Sequence, residues 1–200
     1  MARALGCQKH FSCREIVSLR MEGCEVELRI IGIRGVHFPK DLHGKGLTAV
    51  ILAGLGGGLD PRLEVGDVVV DGLERTGLIW SSEQLIGSAE QKKALHEQTG
   101  AAVVEMEGEI VRKWSESQGV RFIGIRSVSD RADDSLDGRL LGWVDEFGRP
   151  KWTKLVSSLV REPKLIGPLW KLGQNGRRAC GTLGPAVRRV IHQIICSSPG

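Results

Sequence analysis

For its first 130 residues the chain alternates short apolar runs with polar, glycine-bearing breaks, and then its period changes. "CEVELRIIGIRG" (24–35) alternates apolar with polar and then runs apolar into glycines, which predicts a strand. "GLTAVILAGLGGGLDP" (46–61) is a second strand, apolar almost throughout from Leu47 to Leu55 and ending in a glycine cluster. "LEVGDVVVDG" (63–72) sets a Gly-Asp turn before Val68, Val69 and Val70, and "TGLIWSSEQLIG" (76–87) reads as a fourth strand. In "SAEQKKALHEQTG" (88–100), Ser88 as N-cap and the closing Gly100 predict a short helix. "AAVVEMEGEIVRKWSESQG" (101–119) opens as a strand and becomes a helix with Ile110, Val111 and Trp114 on one side. The next strand starts at Arg121, carries Phe122, Ile123 and Ile125, and breaks at Ser129-Asp130. After residue 138, Trp152, Leu155, Val156, Leu159 and Val160 recur at helical spacing, one apolar face. Pro163 and Pro168 interrupt, and Ala186, Val187, Val190, Ile191, Ile194 and Ile195 mark a last amphipathic helix. Strands alternating with helices predict an α/β fold around a largely parallel sheet.

Two hundred residues suit one domain with a sizeable core, here an α/β part over 24–137 and a helical part over 138–200. Apolar content of 41% and charged content of 26% exclude a largely disordered chain. No run approaches the roughly 18 apolar residues of a membrane span, and the N-terminus lacks a signal-peptide core, so a cytoplasmic protein is expected. Cys7, Cys13, Cys24, Cys180 and Cys196 are odd in number and form no CxxC pair, and the five histidines add no ligand spacing. Neither a disulfide framework nor a metal site is expected. Charge is uneven. Residues 151–200 hold nine Lys/Arg against Glu162 alone, a balance of +8, while the first 150 carry 19 basic and 23 acidic residues, a balance of −4. Such a tail is either a solvated helical face or a contact for an anionic partner such as a membrane surface. Nucleic acid is not expected, because no basic segment interleaved with aromatics is present.

Three places offer chemistry. Gly54-Leu55-Gly56-Gly57-Gly58 follows a buried strand, where glycines make either a tight turn or a backbone cradle for a ligand. The segment has neither P-loop nor dinucleotide-binding spacing. Glu105-Met106-Glu107 stands at a strand-to-helix junction, where acids are also favoured simply by the helix dipole. Ser129-Asp130 ends a buried strand, either as the cap of a following helix or with Asp130 aimed into a cleft at the sheet's carboxyl edge.

"LAGLGGGLDPRLEVGDVVV", "AAVVEMEGEIV" and "RFIGIRSVSDRADD" stand in an order that resembles the nucleoside phosphorylase and nucleosidase superfamily. The Glu-Met-Glu form is similar to methylthioadenosine/S-adenosylhomocysteine nucleosidases, and "VDEFGRPKWTKLVSSLVREPKLIGPLWKLGQNGRRA" resembles the hopanoid-associated phosphorylases. The resemblance covers roughly residues 24–180. It implies a three-layer α/β/α sandwich with a mixed, largely parallel sheet, a homo-oligomer, and cleavage of the N-glycosidic bond of a purine, expected to be adenine, nucleoside or thionucleoside. That reaction builds positive charge on the ribose and negative charge on the leaving base. By resemblance Asp130 is the general acid to the base, its pKa raised by burial beside Ile125 and Val128. Glu107 holds the ribose hydroxyls over Met106, and Gly56 and Gly57 line the site with Glu105 and Ser129. Leu85 and Ile86 align with the segment that faces the base. No cofactor is implied, although phosphate is a possible co-substrate.

The departures keep the reaction open. "MARALG" resembles the family's "EARAL" with Met1 where a water-activating Glu would stand, so the first strand and that base are expected to be missing. Leu85 replaces an aromatic, and "GIRG" (32–35) supplies Arg34, a candidate phosphate contact, although the glycine turn lacks the Arg and Ser of phosphorylases. Hydrolysis, phosphorolysis and nucleoside binding without turnover all remain open at this point.

Overall fold

The computed structural model describes residues 17–21, 24–39, 41–73 and 76–197, so the reading of Met1 lies outside the described residues. The apolar stretch near residue 50 becomes a ten-residue strand, β3 (Ala49–Gly58), paired in parallel with β7 (Arg121–Asp130), also of ten residues. These two form the centre of a five-stranded sheet completed by β4 (Val68–Asp71), β5 (Ile79–Ser81) and β6 (Val103–Glu105), in the order β4-β7-β3-β6-β5. β4 runs antiparallel to β7 and β6 antiparallel to β3, while β5 is parallel to β6. The sheet is mixed, with two of its four pairings parallel.

The strands bury alternate residues against two helical layers. Ile123 and Ile125 pack with Leu183, Val187, Val190 and Ile191 of the long α5 (Ile166–Ser197), and Ser127 Oγ is 2.9 Å from Thr182 Oγ1 of the same helix. Each fully buried Ile or Val of this kind contributes roughly 1.5–3 kcal/mol. The residues between them face the other way: Phe122 lies under the Arg112 guanidinium of α2 (Gly108–Gln118), at 4.5 Å from the ring centre. Helix α5 therefore covers one face and α2 the other, an α/β/α sandwich. The face of α5 that carries Val187, Val190 and Ile191 is used up in this packing.

Helix α1 (Ala89–Thr99) forms where predicted, because Ser88 and Gln91 make a reciprocal capping box and Gly100 closes it at φ 66°. Beyond β7 come α3 (Leu140–Trp143) and α4 (Trp152–Arg161). Pro163 and Pro168 interrupt less than expected. The 3-10 turn Pro163–Leu165 leads straight into α5, and Pro168 falls in that helix's first turn, where backbone N–H groups have no helical partner to lose. The predicted strand over 24–35 is shorter. It ends as β2 (Cys24–Leu28), paired antiparallel with β1 (Val17–Met21) in a separate hairpin, and its glycine end becomes the 3-10 turn Ile33–Gly35. Among the described residues no helix is long and apolar enough to cross a membrane.

Candidate active site

Glu105 is the last residue of β6 and is 5% exposed. Its carboxylate accepts from the backbone N–H of Glu107 at 2.9 Å and of Gly108 at 2.8 and 2.9 Å, so it caps the start of α2. It also accepts from Ser81 Oγ and pairs with Arg126 Nη2. Burial alone would raise its pKa, but the charge of Arg126, with the Ser81 and Arg126 hydrogen bonds and the Glu107 N–H, holds it below the usual carboxylate range. The helix-dipole reading of the Glu-Met-Glu motif thus accounts for the place of Glu105 at the start of α2.

Glu107 is different. Its side chain remains 21% exposed, its Oε1 accepts from the backbone N–H of Arg34 at 3.1 Å, and its Oε2 lies 3.7 Å from Arg126 Nη2. Burial pushes its carboxyl up despite the Arg34 N–H and the Arg126 charge. The Arg34 contact depends on an unusual backbone: Arg34 has φ 58°, the only non-glycine with positive φ among the described residues. Left-handed geometry costs an L-residue roughly 1–2 kcal/mol, and here it turns an N–H onto a carboxylate. The Arg34 guanidinium is exposed and makes no hydrogen bond or ion pair with the other described residues.

Asp130 is reached through a β-bulge. Gly56 pairs with Val128 but Gly57 pairs with Asp130, so Ser129 is the extra residue on β7. Before the bulge, Val128 packs with Val69, Ile79 and Val103. After it, the Asp130 carboxylate adjoins Gly57 and Val104, and Val104 clusters with Leu59, Ala101 and Leu95 of α1. The inserted residue turns Asp130 to the opposite sheet face, which strict alternation would have denied it. No helix begins there, so the helix-cap reading of Ser129-Asp130 fails; the next helical segment starts at Leu140.

Asp130 is 3% exposed, as expected, but its surroundings are not simply apolar. Lys92, 0% exposed on α1, places Nζ 2.5 Å from Asp130 Oδ2, 2.7 Å from the Arg131 carbonyl and 2.8 Å from the Asp134 carbonyl. All three ammonium donors are satisfied, the condition under which a lysine can be buried. Ser129 Oγ donates to the other carboxylate oxygen at 2.6 Å and contacts the Gly56 carbonyl at 3.1 Å.

The predicted residues therefore fall into two linked networks. Glu105 and Glu107 gather around Arg126, with the Arg34 backbone N–H on Glu107, while Asp130, held also by Ser129, pairs with Lys92. The glycine strand runs between them: a Cβ on Gly56 would lie 2.4 Å from Val103 Cγ1 and 3.5 Å from Arg126 Cβ, and one on Gly57 would lie 3.2 Å from Asp130 Oδ2. Both glycines are there for close approach, and no larger residue fits at Gly56 without displacing β6. Met106 is half-buried between the two glutamates. Ile86 packs against the Leu59, Ala101 and Val104 cluster, and Leu85 is half-buried beside it.

Lys92, Arg126 and Ser81 are absent from the sequence reading. Lys92 had a signal: with Leu95 and Thr99 it lies on the inward stripe of α1, where a lysine needs a buried partner. Arg126 had one too, as a lone charge in the middle of a buried strand. Ser81 had none.

Residues 74–162 match the phosphorylase superfamily, a span that includes both networks except Arg34 and the glycine strand. No curated protein matches the chain. Among solved structures, 5′-methylthioadenosine/S-adenosylhomocysteine nucleosidase from Helicobacter pylori, in its complex with butyl-thio-DADMe-Immucillin-A, superposes with a TM-score of 0.58 at 16% identity. That alignment covers 90% of this chain and 89% of the nucleosidase. A futalosine hydrolase mutant of Helicobacter pylori strain 26695 aligns with a TM-score of 0.50 at 19% identity, over 74% of this chain and 85% of the hydrolase. The chain thus matches the phosphorylase superfamily model over residues 74–162, on a fold that it shares with the nucleosidase and the hydrolase.

Proposed function

We propose that this protein cleaves the N-glycosidic bond of a purine nucleoside or thionucleoside, with adenine as the leaving base. Superfamily sequence and a nucleosidase-like fold support N-glycosidic cleavage in general. The observation that carries the finer reading is Glu107: a largely buried carboxylate, one edge open to solvent, held by a backbone N–H rather than by a close counter-ion. Two adjacent sugar hydroxyls donate naturally to such a group, and hydrogen bonds to a charged acceptor are worth roughly 1.5–3 kcal/mol each.

In this reading Glu107 grips the ribose over Met106 while Leu85 and Ile86 border the base. The bond from C1′ to N9 breaks with its electron pair leaving on the base, and the sugar passes through an oxocarbenium-like state. Asp130 delivers a proton to N7 of the departing purine. Its partner Lys92 makes the donor a buried ammonium–carboxylate pair, which contains the proton to be moved and keeps the carboxyl oriented. Water, losing a proton to solvent as it adds, or phosphate then forms the new bond to C1′, with Arg34 as the exposed cation available to phosphate. A homo-oligomer that completes the site with a neighbouring side chain accords with this reading.

One observation favours a second reading, nucleoside binding without turnover: both oxygens of Asp130 are already engaged, by Lys92 and by Ser129. Free-base release from adenosine, methylthioadenosine and inosine, with and without phosphate, separates the readings. Release dependent on phosphate identifies a phosphorylase, and release in its absence a nucleosidase. Binding with no release of base identifies the second reading and overturns the first.

A further inference from the structure

Helix α4 leaves one edge of its apolar stripe in solvent. Trp152, Val156 and Val160 recur every fourth residue and stand one above another, at 68%, 53% and 75% exposure. Leu155, Ser158 and Leu159 are half-buried on its inner side, while Lys154 and Ser157 stay exposed at the edge of a shallow groove with Arg139, Gly142 and Trp143 of the α3 region. An amphipathic helix ordinarily buries the apolar stripe and wets the polar one. The exposure continues past the 3-10 turn, whose Leu165 is buried, into Ile166 and Trp170 at 57% and 68%. Five of the ten exposed large hydrophobic side chains among the described residues thus fall between 152 and 170.

The charge around this face is of one sign. Lys151, Arg161 and Lys164 are exposed, and the single acid of the region, Glu162, is taken up by Arg139 at 2.7 Å. Tryptophan, aliphatic side chains and unneutralised Lys/Arg on one exposed helix are the composition of a segment that lies in a lipid interface. A second copy fits less well, because a two-fold contact through α4 would set the same cations against each other. We propose that α4, with the first two turns of α5, docks this protein on an anionic bilayer surface, seating Trp152, Val156, Val160 and Trp170 among the acyl chains and Lys151, Arg161 and Lys164 among the headgroups. The proposal concerns a surface away from Glu107 and Asp130 and stands or falls independently of the reaction.

The test is flotation of the full chain with phosphatidylcholine vesicles, with and without phosphatidylglycerol, at low and high salt. The proposal expects flotation with the anionic vesicles only, weakened by salt as surface charge is screened. Lys164→Gln should weaken partitioning about five-fold, the equivalent of roughly 1 kcal/mol per basic residue at an anionic surface. Val160→Asp should abolish it while leaving the thermal melt unchanged, since the side chain is exposed. Failure to float with anionic vesicles overturns the proposal, as does equal flotation with neutral ones. So does a dimer in sedimentation that Val160→Asp dissociates, which would assign the face to a second copy.

Discussion

Glu107 is the residue at which burial of a carboxyl works most directly against stability. Burial raises its pKa, so its folded value lies above its unfolded one. Its ionisation therefore costs stability as the pH climbs from the unfolded to the folded value, and the cost persists at neutral pH. Glu105 has the opposite sign: held low by Arg126, Ser81 and the Glu107 N–H against the pull of burial, it stabilises above the ordinary carboxylate range and loses that contribution as the pH falls through its folded value. Glu107→Gln removes the penalty but keeps an acceptor for the Arg34 N–H. It should raise the melting temperature at pH 7 by a small amount, on the order of 2 °C, and weaken nucleoside binding or turnover by roughly 10–100-fold. Thermal melts and binding titrations check the two effects, and a variant less stable than the native protein would count against the assignment.

At the scale of elements, strand β7 and helix α1 matter most. The one-residue bulge at Ser129 carries Asp130 to the face where α1 presents Lys92, and Lys92 ties down the Arg131 and Asp134 carbonyls that follow. Lys92→Met strands a buried carboxylate and two carbonyls and should cost roughly 3–5 kcal/mol in a urea unfolding experiment. The double change Lys92→Met with Asp130→Asn should cost less than the two single changes added, because each single change leaves an unpaired partner. The bulge also marks where reading the sequence reached its limit. Strands β3 to β7 and helices α1 and α2 were legible from apolar runs, capping residues and glycine stops. The sheet face of Asp130 was not, because alternation alone puts it beside Arg126 and Val128. Lys92 and Arg126 were visible as charges in apolar positions, yet pairing them with Asp130 and Glu105 required the strand order. The strand expected over 24–35 stops at Leu28 and its glycine end turns instead: Gly32 and Gly35 have φ of 73° and 64°, a turn geometry that apolar neighbours do not betray.

For the whole molecule, the carboxylates held low set its acid limit. Asp60, hydrogen-bonded by the Arg62 side chain, has its pKa lowered to about 2. It therefore adds stability above its unfolded value, near 3.9, that disappears as the pH falls toward 2. With Glu105 it predicts acid unfolding that begins below about pH 4.5 and steepens toward pH 2. Arg62→Ala should move the acid midpoint upward only slightly, because the Arg62 side chain is 87% exposed and its pairing with Asp60 is screened by solvent. Circular dichroism across that range checks the slope. The same global view explains the uneven charge: α5 carries several basic residues outward while its apolar face covers the sheet, and α4 leaves its apolar face uncovered.

In the function proposed for this protein, Asp130, paired with Lys92, protonates a departing purine. The most direct test of that step compares native protein with Asp130→Asn for free-base release from methylthioadenosine and adenosine, with nucleoside binding followed in parallel. A loss of release of about 100-fold or more, with binding nearly intact, is the predicted result for removal of a general acid. Undiminished release by Asp130→Asn would contradict the claim and leave Asp130 a structural partner of Lys92.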